Sequence, residues 1–167
     1  MLVQRPVNPV VLGAWIFVGA LIPVMSVFGR AIQHFISDRL DGGEFTLFMA
    51  GALIVASGAS VAWIARRRSK RALWHGLWLL FAVLVITQML PNATEWFHFI
   101  MFGSFGLLAC RLWRPAAGIL ICLSVSSGDE ILQWYLPDRV GDLRDVAMNI
   151  AACLLGAAVA LIGGAEE

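Results

Sequence analysis

Between Gly128 and Asn149 the chain places five acids, two arginines and two amides within 22 residues. The groups with chemistry to offer are Asp129, Glu130, Gln133, Arg139, Asp142, Asp145 and Asn149. Upstream, Glu95 and His98 stand one helical turn apart. Carboxylates beside a histidine can act as general acid and base. An arginine with backbone donors can hold a phosphate or carboxylate head group. Acids and a histidine inside a membrane can relay protons. One histidine with no cysteine nearby would leave only a hard, oxygen-rich metal site, so no metal and no cofactor are expected. The same residues also admit a purely structural arrangement. In it Arg139 and Arg144 neutralise Asp142 and Asp145, and Asp142 favours the start of the last helix through the helix dipole.

The surroundings make this cluster costly. The chain is 60% hydrophobic and 14% charged, with a mean hydropathy of +0.82. A soluble domain of this size could not bury so much apolar surface, so the composition predicts one compact polytopic membrane protein. A charge at the bilayer centre costs roughly 2.5–3.5 kcal/mol on insertion scales, and less near the interface. The one basic run, Arg66 to Arg71, lies between two apolar segments and reads as a topology signal. Nothing points to nucleic acid as a partner; membrane lipids, and other membrane proteins, are the expected ones. Cys110, Cys122 and Cys153 all fall within apolar spans without zinc-like spacing, and read as small buried side chains.

Six spans of about 20 residues account for the apolar segments: Pro9–Phe28, Phe45–Ala65, Ala72–Leu90, Glu95–Trp113, Ala116–Tyr135 and Asp142–Ile162. The expected fold is therefore an all-α, polytopic transmembrane bundle. All seven tryptophans sit near proposed span ends, as in an aromatic belt. Residues 30–44 read either as a loop or as a short interfacial helix ending at Gly42-Gly43. Basic residues in short loops set the orientation. With the Arg66–Arg71 run in the cytoplasm, eight basic residues fall inside and Arg30, Arg39, Arg139 and Arg144 fall outside. Nine of the eleven acids are then outside, and both termini are cytoplasmic. The fourth, fifth and sixth spans bring their polar ends to that same outer face.

Helical periodicity places the polar groups further. At about 100° per residue, Asp142, Asp145 and Asn149 share one face, continued by Ala152, Gly156 and Ala160. Such a small-residue stripe lets another helix approach closely, so the polar face is expected to point into the bundle. Ser126, Asp129, Glu130 and Gln133 share an arc on the fifth span, and Arg139 can fold back over the acids after Pro137. The result is an outward-facing polar cup.

The spacing Glu130-x2-Gln133-x5-Arg139-x2-Asp142-x2-Asp145-x3-Asn149, with Trp96-Phe97-His98-Phe99 upstream, resembles the VanZ-like family of small bacterial membrane proteins. The resemblance covers about residues 72–162, so residues 72–167 read as a four-helix VanZ-like domain and residues 1–71 as two additional N-terminal helices. Where the family commonly has an acid followed by lysine before the histidine, this chain has Thr94 and Glu95, so no role for that lysine carries over. The founding member's link to teicoplanin resistance implies work at the cell envelope and a bacterial inner-membrane location. Two functions fit: binding or modifying a lipid-linked or polar-headed envelope ligand, or serving as a non-catalytic accessory subunit of a larger membrane complex.

Overall fold

The structure, a computed structural model, describes residues 7–66, 69–90, 92–137 and 139–164. Among the charges used for orientation, Arg5, Arg67, Arg68, Asp138, Glu166 and Glu167 lie outside the described residues. The described chain is all helical: α1 Pro9–Ser37, α2 Gly42–Ala65, α3 Lys70–Met89, α4 Ala93–Leu112, α5 Pro115–Tyr135 and α6 Leu143–Gly164. Local chemistry sets the starts. Asn8 caps α1 ahead of Pro9, and Asp41 and Glu44 form a capping box on α2. Ser69 caps α3, and Pro115 occupies the first turn of α5, where its missing N–H costs nothing.

Five helices are long and apolar enough to cross a membrane: α1, α2, α3, α5 and α6. The sixth expected span, α4, is 20 residues long but carries Glu95, His98 and Arg111. It can be more polar because it lies at the centre of the bundle, packed against α1, α2, α5 and α6. Phe102, Phe105 and Ala109 of α4 are at most 1% exposed, so protein rather than lipid surrounds this helix.

Two expectations need correction. Residues 30–37 form neither a loop nor a separate interfacial helix: α1 runs unbroken to Ser37, and Gly42-Gly43 begins α2 rather than ending anything. At about 1.5 Å per residue, 29 residues reach about 43 Å, well beyond a hydrocarbon core of about 30 Å. The tryptophans also divide. Trp74, Trp78 and Trp134 are exposed, as a belt requires, but Trp15, Trp63, Trp96 and Trp113 turn partly inward. Trp15 stacks on Phe105 at 5.3 Å and meets Trp113 edge-on at 4.6 Å, tying α1 to α4 at the end away from the polar cluster.

The tightest contact joins α4 to α6. A Cβ added at Gly156 would fall 1.8 Å from the carbonyl oxygen of Gly103, and one at Gly106 would fall 2.3 Å from that of Cys153. The two backbones touch, which the small-residue stripe on α6 led one to expect of some neighbour; α4 meets it with glycines of its own. Gly156→Leu should therefore force the pair apart and abolish a cooperative melt in detergent. Gly58→Ala, whose new methyl meets nothing within 4 Å, should leave the melt unchanged or raise it slightly through helix propensity, worth at most about 1 kcal/mol. Thermal unfolding of both purified variants checks this.

Candidate functional site

At the end of the bundle where α3 joins α4 and α5 joins α6, the helices enclose an open polar cavity of about 610 Å³. Its lining comes from Arg30, Gln33 and His34 of α1, Asn92, Glu95 and His98 from the start of α4, Gln133 of α5, Arg139 and Val140 of the α5–α6 connection, and Asp145 of α6. The extension of α1 that the sequence did not reveal supplies one whole wall. Ser26, Arg30 and Gln33 fall on one face of α1 at i, i+4 and i+7 spacing; that polar stripe in an otherwise apolar helix was the available signal.

The expected site residues divide into two layers. His98, Gln133, Arg139 and Asp145 reach the cavity. Asp129, Glu130 and Asn149 lie behind it, at 6%, 5% and 0% exposure. Asp142 is exposed at the mouth of α6. Its carboxylate accepts from the Arg144 N–H at 3.0 Å, a capping contact. Its own N–H donates to Glu130 Oε2 at 3.2 Å. Gly141 makes this closure possible: a Cβ there would stand 2.5 Å from the Glu130 carbonyl oxygen.

The ion pairing differs from the structural arrangement set out above. Arg144 pairs with Glu95 at 2.9 Å rather than with Asp142 or Asp145. Arg139 directs both Nε (3.1 Å) and Nη2 (2.7 Å) onto Gln133 Oε1. The guanidinium reaches an uncharged acceptor because Gln133, in the last turn of α5, stands between it and the acids.

That contact fixes hydrogen-bond direction through the rest of the network. An arginine can only donate, so Gln133 must turn its oxygen to Arg139 and its amide nitrogen inward. Gln133 Nε2 then donates to Asp129 Oδ2 at 3.1 Å and Glu130 Oε1 at 3.2 Å. Ser26 Oγ of α1 donates to the other Asp129 oxygen. Glu130 receives a third donor, Asn149 Nδ2, at 3.4 Å. Asn149 is thereby oriented with Oδ1 toward His98 Nδ1, 2.8 Å away. An amide oxygen can only accept, so His98 carries its proton on Nδ1. The imidazole stacks on Phe102 with 7° between the planes, and Nε2 makes no hydrogen bond among the described residues. The arrangement holds two buried carboxylates with donors rather than with direct cations, and leaves one histidine nitrogen as an acceptor on a ring that lines the cavity. Among the described residues, no three His, Cys, Asp or Glu side chains are placed to hold a metal ion.

These features define an all-α, multi-pass membrane protein with a polar cavity at one end of the bundle. The VanZ/LLP1 family matches residues 18–163, and the chain belongs to that family. The match includes most of α1 and all of α2 and α3, as well as the three helices α4 to α6 that carry the motif. No curated protein and no solved structure matches the chain.

Asn149→Asp should disturb this network most for its size. It would put a second carboxylate against Glu130 at a fully buried position, at a cost on the order of 3–5 kcal/mol if ionised. Denaturation in detergent measures that loss. In the unmodified protein, ¹⁵N NMR of the neutral His98 ring should show Nδ1 as the protonated nitrogen and Nε2 as the bare one. The reverse pattern would overturn the assigned direction of the chain.

Proposed function

We propose that this chain binds the polar head of a cell-envelope amphiphile in the cavity at the end of the bundle, with the hydrocarbon part remaining in the surrounding bilayer. The observation that carries the reading is the lining itself. A cavity of about 610 Å³ bears two arginines, two carboxylates, two histidines and three amides, at the end of helices that are otherwise apolar. Groups bound only for structure would satisfy one another. Here Arg30 and Asp145 make no side-chain hydrogen bond or ion pair among the described residues, though both face the cavity. Any chemical modification of the ligand would fall to His98, whose free nitrogen is suited to accept a proton.

The cavity opens to the outside of a bacterial inner membrane in this reading, with both termini cytoplasmic. The split of basic residues supports that orientation. Single cysteines introduced at Asn92 and Ser69 of an otherwise cysteine-free protein test it in sealed cells. An impermeant thiol reagent should label Asn92→Cys and spare Ser69→Cys; the opposite result would turn the cavity to the cytoplasm.

Binding is tested by gentle purification followed by mass spectrometry of what remains attached. Wild type should retain a polar-headed lipid. His98→Leu combined with Asp145→Leu should release it while leaving α1 to α6 assembled by circular dichroism. A second reading, an accessory subunit, draws on the exposed aromatic face of α3, where Trp74, Trp78 and Phe81 are 62–73% exposed. A protein rather than a lipid copurifying in fixed ratio, and lost on changing those three residues, would favour it.

A further inference from the structure

Resting on that reading, we propose that the cavity recognises a zwitterionic head group: an anionic phosphate or carboxylate held on the α1 side, and a primary ammonium held on the α4–α6 side.

The inference comes from how donors and acceptors are distributed. Both arginines of the lining stand on one side. Arg30 belongs to α1 itself. Arg139, though it follows α5 in sequence, lies against α1: its Nη1 is 3.6 Å from where a Cβ on the adjoining Gly29 would stand. Arginine has donors only, and Nη1 of Arg139 is not used on Gln133. This side therefore offers N–H groups and positive charge, which suits a phosphate or carboxylate.

The opposite side has the reverse polarity. Asp145 of α6 presents a carboxylate with no hydrogen bond and no ion pair within contact distance among the described residues, with His98 and Arg144 as its nearby electropositive neighbours. Glu95, also on this side, is already taken by Arg144. His98 adds an acceptor, because the Arg139–Gln133–Glu130–Asn149 chain keeps its proton on Nδ1. A carboxylate and the unprotonated nitrogen of an imidazole are both acceptors. Together they suit a group rich in N–H donors and positively charged, as a primary ammonium is. A purely anionic head would leave Asp145 opposed by like charge. A quaternary ammonium carries the charge but has no N–H to give.

The test compares three phospholipids with identical acyl chains: phosphatidylethanolamine, phosphatidylcholine and phosphatidylglycerol. Each is added to delipidated full-length protein, and retention is measured by native mass spectrometry. Phosphatidylethanolamine should be retained on the order of tenfold better than phosphatidylcholine, the scale of one charge-assisted hydrogen bond. Asp145→Asn should remove that preference and should not weaken phosphatidylglycerol. Arg30→Gln, at an exposed position that leaves folding intact, should weaken all three. Free O-phosphoethanolamine distinguishes the source of the head group. Displacement of the lipid only at concentrations far above the lipid's own assigns a lipid ligand; displacement at comparable concentrations assigns a soluble zwitterion of the same chemistry. Equal retention of phosphatidylethanolamine and phosphatidylcholine, or phosphatidylglycerol ahead of both, overturns the zwitterion. Retention of none of the three, with no binding of O-phosphoethanolamine, removes the proposed head-group site as well.

Discussion

The contact between Gly103 and Gly156 is the constraint on which the rest of the molecule depends. Helices α4 and α6 start at the same end of the bundle and touch through their backbones about midway along, so their relative height is fixed to within a fraction of a turn. Five residues before Gly103 stands His98, and seven before Gly156 stands Asn149. The 2.8 Å contact between those side chains is a direct consequence of that height. A looser pair of helices, held apart by larger side chains, would leave Asn149 without the imidazole and Glu130 without one of its three donors. Packing at mid-depth thus positions hydrogen bonds nearer the membrane face.

The network also shows how a bundle holds acids away from water without direct cations. Asp129 and Glu130 are neighbours on α5, and both are almost wholly buried. Direct pairing with arginine would have drawn a charged side chain into the core, where desolvation offsets much of the attraction. Instead Gln133 and Asn149 carry the donors, and the arginine stays in the connection outside. Amides can do this because each offers a donor and an acceptor in one plane. The cost is directionality: if one amide turns over, several contacts are lost together.

Much of this was legible in the sequence, for identifiable reasons. Apolar runs of bilayer length gave the helices, and their alternation brought the polar ends of α4, α5 and α6 to one face. The shared arc of Ser126, Asp129, Glu130 and Gln133 marked the buried face of α5, where all four are at most 6% exposed. Partner choice was not legible. Arg144 reaches Glu95, 49 positions away, and Arg139 stops at Gln133, because long side chains are placed by tertiary distances that periodicity does not carry. Nor was the role of α1. Ser26, Arg30 and Gln33 share one helical face, but the mixed composition of residues 30–37 resembles a loop as much as the end of a helix, so the stripe alone does not show that α1 continues.

The length of α1 has a further consequence. Helices α3 and α4, with 20 residues each, are about 30 Å long and match an ordinary hydrocarbon core; α1 overshoots it by about 13 Å. An over-long helix accommodates the bilayer by tilting, and the tilt varies with bilayer thickness. His98 and Asp145 sit on the glycine-locked pair α4 and α6, while Arg30 and Gln33 sit on the over-long α1. The cavity is thus walled on one side by helices of bilayer length and on the other by a helix that exceeds it.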